Sequence, residues 1–173
     1  MTNHVFVAKS LDGFIAMKDG STDWLNIPNP EKTDYGFFEF SQKVDAIIMG
    51  RLTFEKALTY KPYPYTKPVF VLSNTLKTIP INLQDSIEIV NGDLKNIINY
   101  INNKGFKNLY IDGAGTIQSF LKEDLIDEIN VITLPVILGN GIPLFKEINK
   151  TIYFNHEKTN TYKNGVVKTV YIK

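Results

Sequence analysis

Apolar residues fall along this chain in two rhythms. Short unbroken runs occur at Val5–Ala8, Ala46–Met49, Val69–Leu72 and Leu109–Ile111. Runs of this length predict strands covered on both faces, as in a parallel sheet. Ile87–Val90 and Ile129–Val136 read as strands too, the latter interrupted late by Pro135. Between them the spacing changes. Leu94, Ile97, Ile98 and Ile101 form the i, i+3, i+4, i+7 stripe of a helix over 93–103, with Gly105 as its stop. Phe37, Phe38, Phe40 and Val44 mark a rougher stripe over 35–44, with Asp34 at the N-cap position. Short helices are predicted at about 53–58 and 116–122. Trp24, Pro28 and Pro30 read as a loop, as does the Pro- and Tyr-rich stretch 60–68. Ile152–Phe154 and Val166–Ile172, joined through Asn164-Gly165, predict antiparallel strands at a sheet edge. The order is β-α-β-α-β-β-α-β-α-β and then a β pair. This implies an α/β fold with a mostly parallel sheet and helices on both faces. No repeat or linker breaks the pattern, so residues 1–173 read as a single domain.

Composition narrows the functional classes. The hydrophobic fraction is 43% and the charged fraction 21%, with 19 basic against 18 acidic residues, for a net charge of +1. That balance supplies no field to draw in nucleic acid or an anionic membrane. Cysteine is absent, which removes disulfides, thiolate catalysis and Cys-based metal sites. A reducing cytoplasm fits this composition. The chain enters a strand pattern at once, without the charged and apolar regions of a secretory signal, and no apolar run has the length of a membrane span. His4 and His156 are isolated, and Glu123, Asp124, Asp127 and Glu128 read as one solvated helix end; no metal site is expected.

In open α/β sheets, ligands bind beyond the carboxyl ends of the strands. Three such ends here carry phosphate-binding chemistry. Gly50-Arg51-Leu52-Thr53 combines a close backbone approach, a guanidinium fork and a hydroxyl at a helix start. Ser73-Asn74-Thr75 offers small polar groups suited to an adenosine ribose-phosphate. Gly113-Ala114-Gly115-Thr116 admits a pyrophosphate to backbone N–H groups, although Gln118 departs from the full G-x-G-x-x-G pattern. Each turn alone is equally an ordinary capped turn; their shared edge points to a dinucleotide. Hydride chemistry also needs a proton source. Asp34, opening a Phe-rich helix where an apolar pocket would raise its pKa, is the first candidate, and Asp12 the second. Trp24 and Phe38 are the candidate substrate contacts.

Three stretches together resemble the dihydrofolate-reductase-like superfamily: Met49-Gly50-Arg51-Leu52-Thr53-Phe54-Glu55, Val71-Leu72-Ser73-Asn74-Thr75, and Ile111-Asp112-Gly113-Ala114-Gly115-Thr116. Ser10-Leu11-Asp12-Gly13 with Ile15-Ala16, and Leu134 through Gly141 leading to Leu144-Phe145, are similar to the reductase domain at the C-terminus of bifunctional riboflavin-biosynthesis deaminase-reductases. The resemblance implies a three-layer α/β/α fold, a homodimer, and NADPH as hydride donor. It implies Gly50, Arg51, Thr53, Ser73, Asn74 and Thr75 at the phosphates and adenosine end, and Gly113, Ala114, Gly115 and Thr116 at the pyrophosphate. The backbone of Val7 and Ala8 would lie by the nicotinamide. The spacing of Asp34 from Arg51 matches that of the dihydrofolate reductase acid. The resemblance implies a small heterocycle as substrate: the phosphoribosylamino-uracil of the riboflavin route or, because Arg51-Leu52-Thr53-Phe54-Glu55 follows Gly50, a pterin. A nucleotide-binding relative without catalysis is the other reading.

Overall fold

Each unbroken apolar run becomes a strand because successive side chains leave it on opposite faces, and both faces are covered. In β3 (Ala46–Gly50), Ile47 and Met49 enter one core layer, while Ala46 and Ile48 enter the other. The computed structural model describes residues 1–29 and 31–173; Pro30, assigned to a loop by sequence, lies outside the described residues. The other parallel strands are β1 (Thr2–Lys9), β4 (Val69–Leu72), β5 (Ile87–Val90), β6 (Asn108–Asp112) and β7 (Glu128–Thr133). β9 (Asn155–Thr161) and β10 (Val167–Ile172) complete an eight-stranded sheet of order β5-β4-β3-β6-β1-β7-β10-β9, with the last two antiparallel. Short β2 (Phe14–Ala16) and β8 (Ile142–Pro143) pair separately.

Two helices cover each face. Phe40 of α1 (Phe37–Lys43) and Phe54 of α2 (Arg51–Ala57) pack on the Ile47, Met49 and Tyr110 side. The opposite face receives α3 (Leu94–Asn103) and α4 (Ala114–Lys122). In α3 the predicted stripe is realised: Ile97, Ile98 and Ile101 are buried, each worth roughly 2 kcal/mol of transfer free energy. Asp93 caps it, accepting from the N–H groups of Lys95 and Asn96.

One predicted edge strand is misplaced. The partner of β10 is 155–161, a polar segment without apolar alternation, whereas Ile152 and Phe154 tuck against the core beside β7. An edge strand exposed on both faces has no periodicity to read, and charge there protects the edge.

The feature that creates a site is a parting of two central strands. β1 and β6 pair only at Thr2↔Asn108, Asn3↔Leu109 and His4↔Tyr110. Beyond that, β1 stays with β7 as far as Lys9↔Thr133, and β6 stays with β3 as far as Met49↔Asp112. A cleft therefore opens between Val5–Lys9 and Ile111–Asp112, toward the carboxyl ends of the strands.

At the closed end of the same strands, buried His4 stands 3.2 Å from Glu128, its neighbour in register. Glu128 also accepts from Asn130 Nδ2 at 2.7 Å. The His4 interaction outweighs desolvation and pulls the Glu128 carboxyl down to about 2. A depressed carboxylate stabilises the fold fully above its unfolded pKa, and that contribution is lost as pH falls from about 4.5 toward 2. Glu128→Gln should therefore cost on the order of 1–2 kcal/mol at neutral pH, after discounting for the solvent that still reaches the pair. In denaturant unfolding the difference from wild type should shrink below about pH 4.

Candidate functional site

At the carboxyl edge, two helices begin side by side. α2 starts from Gly50 and α4 from Gly113, and neither N-terminus is capped by a side chain, in contrast with α3. The two turns interlock. A Cβ on Gly113 would lie 2.1 Å from Thr53 Oγ1, and one on Gly50 would lie 3.3 Å from Thr116 Oγ1. Gly113 also has φ +86°, a conformation that side chains resist. The leading N–H groups of a helix have no partner within it. Here those of Arg51 to Thr53 and of Ala114 to Thr116 begin from two turns in contact with each other, and neighbouring helix starts favour an anion.

The third turn joins the same edge through sheet register, because Gly50 pairs with Leu72 and Leu72 with Val90. Arg51, Ser73 and Asn91 each follow the end of one of these adjacent strands. Together with Asn74, Thr75 and Gly92 they line a cavity of about 380 Å³. The Ser73 hydroxyl oxygen accepts from the Thr75 and Leu76 N–H groups at 3.1 and 2.8 Å, which holds the turn and leaves its proton for an outside acceptor. Arg51 pairs with Glu55 at 2.9 Å in an exposed i, i+4 contact. Such a surface pair is worth little, so the guanidinium can exchange partners readily. Asn91 and Gly92 were not among the sequence candidates; their only signal is that they follow the next parallel strand.

The cleft holds a desolvated carboxyl that sequence reasoning did not select. Asp112 ends β6, and its carboxylate accepts from Tyr65 Oη. Tyr110 Oη, beside it, donates across the parting to the Phe6 carbonyl at 3.0 Å. Tyr63 packs on Tyr65, ring centroids 5.6 Å apart, and its hydroxyl is buried without a partner among the described residues. Burial pushes the Asp112 carboxyl above the usual carboxylate range despite the hydrogen bond from Tyr65. Burial, then the charge of Asp112, raises Tyr63 to about 12, and both act in the same direction on Tyr65 and Tyr110. The backbone of Ala8 lines the opposite wall. Alternate residues of a parallel strand address alternate neighbours, so Ala8 N–H and C=O turn to the same side as the Phe6 carbonyl, into the cleft.

Both carboxylates chosen from sequence accept hydrogen bonds from nearby turns. Asp34 is exposed, and its oxygens accept from the N–H groups of Gly36 at 2.9 Å and Phe38 at 2.6 Å. These bonds, Phe38 first, hold its pKa below the ordinary value. The expected apolar pocket around Asp34 is absent because the side chain folds back onto the start of α1. Asp12 is exposed too. It accepts from Ser10 Oγ at 2.6 Å and from the N–H groups of Leu138 and Gly139 at 3.1 and 2.7 Å, tying the turn after β1 to the loop after β7. The Ser10 bond is the main cause of its lowered pKa. Trp24 is half-buried on the Ile132, Leu134 and Val166 cluster, against which Phe6 and Ala8 also pack. Phe38 points to solvent, 70% exposed. One helix position earlier, Phe37 turns to the cleft, its ring 5.3 Å from Phe6 and 6.5 Å from Tyr110.

No helix among the described residues is long and apolar enough to cross a membrane. Among the same residues, no group of three or more His, Cys, Asp or Glu side chains could hold a metal ion. Strand order, parted central strands and glycine-lined helix starts define a protein of the dihydrofolate-reductase-like fold. Dihydrofolate reductase from Enterococcus faecalis, solved with NADP(H), shares that fold at 14% identity, with TM-score 0.67 over 99% of this chain and 95% of that one. More narrowly, the chain belongs to the RibD C-terminal domain family, whose model matches residues 4–168. It is similar to a protein from Shewanella sp. PV-4 named provisionally for riboflavin biosynthesis. That crystal structure is 46% identical, with TM-score 0.95 over 99% of this chain and 98% of that one. It is also 34% identical to the uncharacterized protein YwjB of Bacillus subtilis (strain 168), over 94% of this chain and 92% of that protein.

Proposed function

We propose that this chain is an NADPH-dependent reductase of a small planar heterocycle, of the 5-amino-6-(5-phosphoribosylamino)uracil reductase type. The observation that carries the reading is the strand parting, which opens beside two interlocked, uncapped helix starts and exposes the wall bearing Asp112. The residues present fit a dinucleotide. Gly113 and Gly50 keep the pyrophosphate cradle free of Cβ atoms, and the N–H groups at 51–53 and 114–116 supply its donors. Arg51, Ser73 and Thr75 line the cavity suited to the adenosine end and its extra phosphate. Ala8 N–H and C=O can hold the carboxamide of the nicotinamide ring, and Trp24 packs nearby. When bound, the cofactor supplies the hydride.

The other reactant is a proton, and Asp112 is placed to provide it. A carboxyl whose pKa is raised by burial retains its proton at a higher pH than a surface aspartate does. Tyr110 spends its own proton on the Phe6 carbonyl, so its oxygen can accept from a protonated Asp112. As hydride reaches a carbonyl or imine carbon, Asp112 protonates the oxygen or nitrogen that gains the electron pair. Tyr65 and Tyr110 hold the carboxyl in position, and Phe37 and Phe6 form an aromatic flank for a planar ring.

Calorimetric titration with NADPH and NADH tests the cofactor assignment. NADPH should bind at least about tenfold tighter, and Arg51→Ala should remove most of that preference. Loss of NADPH absorbance with the aminouracil substrate, and separately with a dihydropterin, tests the reaction. NADPH binding with turnover of neither compound favours a non-catalytic relative; failure to bind NADPH overturns the reading.

A further inference from the structure

The opposite flank of α1 borders a second cavity, of about 360 Å³, between that helix and the face of β7, β10 and β9 that no helix covers. Its volume lies within the range of small-molecule sites, roughly 300–1,000 Å³. The unusual group in its wall is Lys168. Only 9% of this residue is exposed, and among the described residues its ammonium has neither a hydrogen-bond nor an ion-pair partner. Nζ lies over the face of the Phe6 ring, 5.1 Å from the centroid, and fills the space beside Gly36.

Gly36 makes room for that charge. A Cβ at this position would lie 2.8 Å from Lys168 Nζ, and φ there is +82°. The glycine thus leaves open the space that the ammonium uses. Nζ itself is reached by the solvent of the cavity, and an occupant that displaced this solvent without pairing the charge would leave a buried unpaired ammonium, which costs far more than it contributes. Desolvation lowers the Lys168 pKa, so the surrounding protein does not fully compensate the charge. Of the carboxylates in the lining, Glu128 is already engaged by His4 and Asn130, and Glu39 acts on Lys168 through space without reaching ion-pair distance.

The remaining walls define what could supply the missing anion. Phe40, Val170 and Ile172 give one apolar side, and Asn130 and Tyr162 contribute polar groups. Glu39 and Glu157 in the lining are matched by Lys43 and Lys158, so the walls offer no further counterion for a second negative charge beyond Lys168. We propose that this cavity is a second small-molecule site, for a monocarboxylate whose charged end meets Lys168 Nζ and whose apolar body lies against Phe40 and Val170. It shares the Phe6 ring with the wall of the strand parting but does not rest on the reductase reading.

Benzoate, its neutral isostere benzamide and the dianion phenylphosphonate test the proposal, by titration into the full chain followed through backbone amide shifts. Benzoate should shift Gly36, Asn130 and Val170 saturably. Benzamide should bind at least about tenfold more weakly, as expected when one charge-assisted hydrogen bond is lost. Phenylphosphonate should bind more weakly than benzoate. Lys168→Met, which replaces a buried charge with an apolar chain of similar length, should fold and should reduce benzoate to the benzamide level. Equal binding of benzoate and benzamide by the wild type would overturn the proposal without reference to any variant. So would absence of saturation, tighter binding of phenylphosphonate, or benzoate affinity unchanged in Lys168→Met.

Discussion

Asp112→Asn should lower kcat of the reductase reaction by about 10²- to 10⁴-fold while leaving NADPH affinity within about twofold of wild type. The asparagine keeps the shape and still accepts from Tyr65, but it has no acid proton to deliver. The pH profile gives an independent sign. The donor is the acid form, so the wild-type rate should be highest at low pH and fall as pH rises through the raised Asp112 pKa. That limb should vanish in the variant. Asp34→Asn is the contrasting case. Its carboxylate serves the backbone at the start of α1, so the cost should be about 1 kcal/mol of stability with kcat nearly unchanged. Steady-state kinetics on both variants decide the matter. A profound kcat loss in Asp34→Asn with near-wild-type Asp112→Asn would return the acid to α1.

The second large effect is expected at Gly113. In Gly113→Ala the new methyl would meet Thr53 Oγ1 at 2.1 Å and Thr53 Cβ at 3.1 Å, on a backbone held at φ +86°. Either the turn moves or α2 is pushed away, and in both cases the two helix starts change their mutual position. NADPH affinity should fall by about 100-fold or more, and the fold should lose roughly 1–3 kcal/mol from the backbone conformation alone. Thr53→Ala removes the hydroxyl that causes the collision. The double variant Gly113→Ala/Thr53→Ala should therefore recover part of the NADPH affinity lost in the single variant, while the conformational cost persists. Titration with NADPH and denaturant unfolding across the four proteins measure the two components separately. Wild-type affinity in Gly113→Ala would show that the interlocked turns do not form the cradle.

Both predictions turn on residues that the sequence presented unequally. Gly113 stands in a glycine-rich turn after an apolar run, and that pattern was legible because a parallel strand, a tight turn and a helix each impose their own residue types. Asp112 is one position earlier and carries no such pattern. What distinguishes it is the company of Tyr65, 47 residues away, and of Tyr110, which shares its sheet face. Asp34 and Asp12 look reactive in isolation because they adjoin aromatic or turn residues. Only the folded chain reveals that backbone N–H groups already claim their oxygens. Phe37 and Phe38 are indistinguishable by composition, and a rotation of one helix position decides which meets the cleft.

The sequence by itself determined the layers, the parallel run of strands, the phosphate-suited turns and their common edge, because these rest on local periodicity and turn chemistry. Tertiary structure alone decided where β1 and β6 part, which carboxyl is desolvated, and that 155–161 rather than 152–154 pairs with β10. Those outcomes depend on register and burial. Both are set by contacts between residues far apart in the chain, which leave no periodic mark on either segment.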